Sequence, residues 1–273
     1  MFSCQWRGDC VQYVPMKSLR LLLWAAFSLF CVSGGSAAEI VCVTVEDPNN
    51  YDAVHFLSDF ADKELRPAGH KVTIVQGNQP KPTRLEGLGL ALKNADLFIV
   101  FVRRATPPLA DLEAIRAHLA AGKPLLGIRT ANHGFAVSPK DPPLPEGCAA
   151  WPEFTPDVLG CENTGYETKG LPYRVALHPA APKDSPLLEG VDAGSIRGYQ
   201  SLYRVLPLAV DATPLLLGTA EGIEPAQPIA WTRFYGPAKA RVFYTSLGAP
   251  EDMAQASVRR LIANAVRWTL GQL

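Results

Sequence analysis

The chain lacks a surplus of either charge. Its 26 basic and 26 acidic residues cancel, and no segment carries a basic stripe. Nucleic-acid binding rests on clustered Lys and Arg, so no nucleic-acid partner is expected. Phosphate-cradling glycine fingerprints are missing too. Gly87-Leu88-Gly89 precedes a helical segment, but it follows no strand and has no third glycine, so nucleotide cofactors gain no support. The five histidines, His55, His70, His118, His133 and His178, show none of the short paired spacings of zinc sites. No cofactor is evident, although divalent-metal ligands gathered from distant loops stay open. With 48% apolar and 19% charged residues, the composition is that of a globular protein.

Long apolar runs are also lacking. The longest uncharged apolar run, Leu21 to Val32 ahead of the small residues to Ala38, falls short of the roughly 20 residues that span a bilayer. Lys17 and Arg20 precede it and Ser36-Ala37-Ala38 follow it, the layout of a secretory signal peptide cut after Ala38. A membrane anchor and a lipoprotein at Cys31 are the alternatives, the latter disfavoured by bulky Phe30. Residues 1–38 are therefore read as an N-terminal extension and signal peptide, with Met1 or Met16 as the start. The protein is expected to be exported, periplasmic or extracellular, with no integral membrane span once the signal is removed. The remaining chain, 39–273, keeps 23 basic and 25 acidic residues. It retains Cys42, Cys148 and Cys161, an odd set for an oxidising compartment, in which a Cys148–Cys161 bridge is one option. Cys42, inside an apolar run, reads as a buried small hydrophobe.

Residues 40–45 (IVCVTV) form a β-branched run of the kind buried on both sheet faces. Further strands are predicted at 71–75, 96–102 and 125–128, separated by helical patterns over 51–65, around 88–93, and from Thr106-Pro107 to Gly122. Strands alternating with helices imply a parallel sheet with right-handed crossovers. The fold class is thus α/β, a doubly wound, mostly parallel sheet flanked by helices, with a β-rich second half. Strand candidates in that half are 173–177, 195–205, 214–217, 229–231 and 241–245. An amphipathic helix over 251–270 closes it, with Val258, Leu261, Ile262, Ala265 and Val266 inward and Arg259 and Arg260 outward. No linker or repeat divides 39–273, which reads as one domain. Residues 136–160 are rich in proline and long for a structureless loop, the signature of a functional lid or a disordered segment, with Trp151 and Phe154 packing part of it down.

In an open parallel sheet, ligands bind beyond the carboxyl ends of the strands. Polar residues cluster there: Glu46 and Asp47, Arg103 and Arg104, then Arg129, Thr130, Asn132 and His133 within KPLLGIRTANHGF, 123–135. Guanidinium groups there suit a carboxylate, phosphate or sugar hydroxyl, and a His suits proton transfer. The alternative is ordinary loop polarity, with the arginines merely pairing to Glu46 or Asp47. At the sharp turn after strand 125–128, where a nucleophile elbow presents Ser or Cys, this chain has Arg129. A guanidinium is protonated at any ordinary pH and attacks nothing. Thr130 beside it has no identifiable base, so a covalent acyl-enzyme is not expected.

The segments 97–104 (LFIVFVRR), 123–135, 151–160 (WPEFTPDVLG), 201–208 (SLYRVLPL) and 228–252 together resemble the ThuA-like, or trehalose-utilisation, family, whose fold is similar to class I glutamine amidotransferases. The resemblance runs from about Ile40 to the C-terminus. It implies that Arg129 stands where an amidotransferase carries its nucleophilic Cys, so glutaminase chemistry is absent. It also implies a small-molecule carbohydrate partner: trehalose, another disaccharide or a keto-sugar derivative. Within that expectation His133 is the candidate acid/base and Glu46 its candidate partner. Arg103, Arg129, Thr130 and Asn132 would hold polar substrate groups, and Trp151 or Tyr203 would stack on a sugar face. Two positions depart from the family pattern, Tyr166 and Ala249, each where relatives favour His. The departures favour the alternative of a non-catalytic binding or sensing module, and a plain interaction domain is the third reading. The sequence names neither the reaction nor the oligomeric state.

Overall fold

The computed structural model describes Met1 and residues 36–166 and 172–273. The apolar core of the expected signal peptide, 21–32, lies outside them. So do Cys4, Cys10 and Cys31. From residue 36 onward the described chain belongs to one compact unit. Ala38, at the expected cut, is buried; its N–H donates to His70 Nδ1 at 3.2 Å and its carbonyl accepts from the Lys71 N–H at 2.9 Å. No described helix is long and apolar enough to cross a membrane.

Four strands form in the order predicted: β1 Glu39–Thr44, β2 Lys71–Gln76, β3 Leu97–Phe101 and β4 Leu125–Ile128. Helices α1 Ala53–Phe60, α2 Leu88–Asn94 and α3 Leu109–Ala120 lie between them, and α1 continues as a π-helical turn through Ala61–Leu65. The second half adds β5 Tyr173–Leu177, β6 Arg197–Gly198, β7 Thr213–Thr219, β8 Gln227–Tyr235 and β9 Ala240–Thr245, then α4 Pro250–Met253 and α5 Ala256–Thr269. All nine described strands join one sheet in the order β2-β1-β3-β4-β9-β8-β7-β5-β6.

The expectation of a mostly parallel, doubly wound sheet is corrected. The pairings of β1 with β2 and β3, β3 with β4, and β4 with β9 are parallel, but those joining β9, β8, β7, β5 and β6 are antiparallel, so the sheet is mixed. The short Gly- and Pro-punctuated strands after 172 follow one another without the crossover helices that parallel pairing requires. Residues 195–205 were expected to be one strand, yet only Arg197–Gly198 forms one, and Tyr203 makes an isolated antiparallel bridge to Tyr166. The closing helix is two helices, broken at Ala254 and Gln255.

Alternation along the central strands separates two cores. Ile40, Cys42, Ile99, Phe101 and Ile128 pack with Phe56, Phe60 and the predicted stripe Val258, Leu261, Ile262, Ala265 and Val266. On the opposite face Val41, Val43, Phe98 and Val100 meet Leu88, Leu112, Ile115 and Leu119. Arg259 does not point to solvent as expected; it pairs with Asp59 at 2.9 Å and Glu64 at 2.7 Å. His118 on α3 is buried with Nε2 3.0 Å from the Pro124 carbonyl. The three described cysteines are free, so no Cys148–Cys161 bridge forms. Burial pushes the Cys42 thiol up to about 12, which fits a small hydrophobe rather than a reactive group.

The parallel half brings the ends of β1, β3 and β4 to one rim, where a buried amide ties them together. Asn50 Nδ2 donates to the carbonyls of Val45 (3.2 Å) and Phe101 (3.0 Å), and its Oδ1 accepts from Thr130 Oγ1 (2.7 Å). Each stranded buried polar group costs about 1–3 kcal/mol. Asn50→Ala is therefore expected to lower the unfolding free energy by about 2 kcal/mol or more. Asn50→Asp should cost at least as much, because an ionised carboxylate cannot donate to the two carbonyls. Urea unfolding checks both, and two variants as stable as the parent would show that the amide ties nothing.

Candidate functional site

β4 ends at an elbow. Arg129 has a left-handed φ of 39°, a conformation that costs a non-glycine residue energy and persists only where its surroundings hold it. The chain then runs into the 3-10 helix Arg129–His133. A Cβ on Gly127 would come within about 3.1 to 3.3 Å of the Tyr244, Leu159 and Ala131 side chains, so any larger residue there has to displace them by a few tenths of an ångström. The Tyr244 hydroxyl donates to the Arg129 carbonyl at 2.8 Å.

The Arg129 side chain turns inward and is 0% exposed. Its Nη1 donates to the Ser246 carbonyl (2.7 Å), and its Nη2 donates to Tyr51 Oη (3.2 Å) and the Ser201 carbonyl (3.3 Å). The guanidinium carbon lies 4.2 Å from the Tyr51 ring centroid and 4.6 Å from that of Tyr203. A cation held against two aromatic faces keeps favourable electrostatics after losing its water. Gly248 makes room for this side chain: a Cβ there would meet Arg129 Cβ at 2.5 Å. Asp252 fixes the same loop by accepting from the N–H groups of Gly248, Ala249 and Tyr199 at 2.9, 3.0 and 2.8 Å.

Above Arg129 opens a cavity of about 680 Å³. Tyr203 and Tyr166 line it, their ring centroids 6.2 Å apart, together with Arg103, Arg104, Asn132 and His133. The Arg103–Arg104 turn is locked to the His133 turn by backbone bonds from Arg104 N–H to the His133 carbonyl (3.2 Å) and from Ala105 N–H to the Gly134 carbonyl (2.6 Å). His133 Nδ1 lies 2.5 Å from Asn132 Oδ1, so Nδ1 carries the proton and Nε2 is left as an acceptor. Burial, followed by the charges of Arg104, Arg103 and Arg129, pushes the His133 imidazole down to about 3. At neutral pH it accepts hydrogen bonds and is a weak base, far from the matched value that efficient proton transfer uses.

The rim thus gathers Arg103, Asn132, His133 and Tyr203 from the expected set, but not the others. Glu46 lines a neighbouring hollow with Asp47, Asp52 and Glu251, so it is not the partner of His133. Arg129 lies below the cavity rather than in its lining: its two terminal nitrogens donate to backbone carbonyls and to Tyr51, and its Nε has no partner among the described residues. Thr130 is buried on Asn50. Trp151 is buried with the Arg116 guanidinium 4.1 Å over its ring and does not line the cavity. The proline-rich segment does supply a wall, through Ala136, Val137 and Pro152. Of the two departures from the family pattern, Tyr166 lines the cavity and is 57% exposed, whereas Ala249 is fully buried. Sequence reasoning missed Asn49, Tyr51 and the run Glu162–Gly165, all of them lining residues. The signal for the first two was present as Asn-Asn-Tyr directly after Asp-Pro at the end of β1. Among the described residues, no group of three or more His, Cys, Asp or Glu is placed to hold a metal ion.

No family model and no curated protein matches the chain. Among solved structures it is similar to a protein described as ThuA-like from Bacteroides uniformis ATCC 8492, at TM-score 0.59 and 17% identity, over 86% of this chain and 93% of that one. A second, described in the same way, from Parabacteroides merdae ATCC 43184, matches at TM-score 0.60 and 15% identity, over 86% of this chain and 90% of that one. The chain has the fold of these ThuA-like structures, with an arginine at its elbow.

The depressed His133 value carries a stability consequence. Between its ordinary value of 6.5 and about 3, the unfolded chain takes up a proton at this residue and the folded chain does not, so stability falls as pH drops through that interval. His70, His118 and His178, also lowered by burial, add to the slope. Urea titrations of the parent and His133→Gln from pH 7 to pH 4 should give a shallower loss for the variant. Parallel curves would show that His133 titrates normally.

Proposed function

We propose that this chain is a ThuA-like carbohydrate-binding protein, without glutaminase activity, and that it is exported through its N-terminal segment. The observation that carries the reading is that Tyr203 and Tyr166, their rings tilted with centroids 6.2 Å apart, line one cavity together with amide, imidazole and guanidinium groups. A sugar offers both an apolar ring face and a belt of hydroxyls. Aromatic side chains cover the first, and planar polar side chains hydrogen-bond the second. The volume of about 680 Å³ falls within the range of small-molecule sites.

Glutaminase chemistry has no nucleophile here, since the elbow residue is a buried, permanently protonated guanidinium. Glycoside hydrolysis in its common form needs two carboxyl groups flanking one bond. Among the described lining residues Glu162 is the single carboxylate, and Glu46 faces the adjacent hollow. His133, neutral at working pH, serves as an acceptor for a hydroxyl. Binding without turnover is therefore preferred to catalysis, and the ThuA-like resemblance makes trehalose, other disaccharides and their keto derivatives the first ligands to try.

Calorimetric titration of the protein with these sugars should give saturable binding. Tyr166→Ala, at an exposed position that does not threaten the fold, should weaken it by up to about tenfold, the equivalent of one aromatic contact. If no sugar in the panel bound, the proposal would fail. Conversion of a sugar to a new product would replace binding with a catalytic role.

A further inference from the structure

The cavity is electrostatically one-sided in a way that a neutral sugar does not explain. Arg103 and Arg104 line it, the Arg129 cation lies behind its Tyr51 and Tyr203 walls, and Glu162 is the acidic side chain among the described lining residues. Asp47 offsets Arg103 only at the 3.4 Å limit of a single contact, because its other oxygen caps the turn by accepting from the Asn49 N–H and Nδ2 at 2.8 and 3.1 Å. The Arg104 guanidinium has no hydrogen-bond or ion-pair partner among the described residues. The nearby Asp141 carboxylate is taken by the Lys81 ammonium and the Ser138 N–H.

The backbone holds this guanidinium in place at a cost. Arg104 has a left-handed φ of 52°, fixed by the two backbone bonds to the His133 turn. Such conformations persist at ligand sites where neighbouring contacts over-determine them. The Asn132 amide belongs to the same wall, its Nδ2 buried and without a hydrogen-bond partner among the described residues. The depressed His133 imidazole is consistent with the same surplus of positive charge.

We propose that the ligand of this cavity is an acidic sugar, whose carboxylate or phosphate is received by Arg103 and Arg104 beside the Asn132 amide. The sugar portion rests on the carbohydrate reading above; the anion site does not. Guanidinium forks match both anions in geometry and charge, so the two sources are separated by experiment.

The test is calorimetric titration of the protein at low salt with glucuronate, glucose 6-phosphate, neutral glucose and inorganic phosphate. At least one acidic sugar should bind about tenfold or more tighter than glucose, with the preference shrinking as salt is raised. Arg104→Gln should bring the acidic-to-neutral ratio close to one, while Arg104→Lys, which keeps the charge, should retain part of it. A circular-dichroism melt confirms that each variant folds. Equal affinity for acidic and neutral sugars would overturn the anion site and leave the carbohydrate reading standing. Inorganic phosphate binding as tightly as either acidic sugar would support the anion site and overturn the carbohydrate reading. Silence from all four ligands would overturn the anion site.

Discussion

The burial of the Arg129 guanidinium is the constraint on which the rest of the site depends. A cation removed from water destabilises a fold unless its donors are met and its charge is balanced. Here the compensation comes from three separate segments: the Ser246 carbonyl after β9, the Ser201 carbonyl and Tyr203 ring before β7, and the hydroxyl and ring of Tyr51 ahead of α1. Satisfying one side chain therefore draws segments from across the chain to the end of β4. The floor and two walls of the cavity follow from it. Asn50 does the equivalent task for the neighbouring strand ends, so the rim is held by two buried polar hubs rather than by hydrophobic packing alone.

This arrangement separates the shape of an elbow from its chemistry. The strained φ, the glycine that lets strands close on the turn, and the short helix beyond it are all present, yet the residue at the bend is a structural cation. Burial, reinforced by the charges of Arg104, Arg103 and Arg129, then holds His133 neutral. An imidazole of that kind is suited to accepting a hydrogen bond, and the tyrosine rings over it are suited to an apolar face. The cavity thus combines aromatic rings with hydrogen-bonding groups, and among the described residues the Arg104 guanidinium lacks a partner.

Much of the fold was legible because burial leaves a local signature. Runs such as 97–102 and 125–128 are apolar because they lie between two packed layers, and the stripe from Val258 to Val266 is periodic because one face of α5 is covered. The antiparallel half was misjudged in register and extent. Only two of the eleven residues from 195 to 205 pair as a strand, since apolar side chains there pack against neighbours without a ladder. In the candidate site, His133, Asn132, Arg103 and Tyr203 were anticipated, whereas Glu162–Gly165 arrive from a segment with no periodic or motif signal. Arg129, Thr130 and Glu46 are polar residues at strand ends, but rim position alone does not say whether a side chain turns toward the cavity, into the core or to the next hollow.

The sequence by itself determined the strand and helix succession through β4, the collection of polar groups at the strand ends and the absence of a nucleophile at the elbow. These depend on residue type and short spacing. The tertiary structure decided that Arg129 supports the cavity from below, that Glu46 and His133 face different hollows, and that Arg104 and Asn132 are left with donors to spare. Those outcomes depend on which long-range partner satisfies each polar group, and partners separated by 70 or more positions, as Arg129 is from Tyr51, Ser201 and Ser246, leave no trace in local pattern.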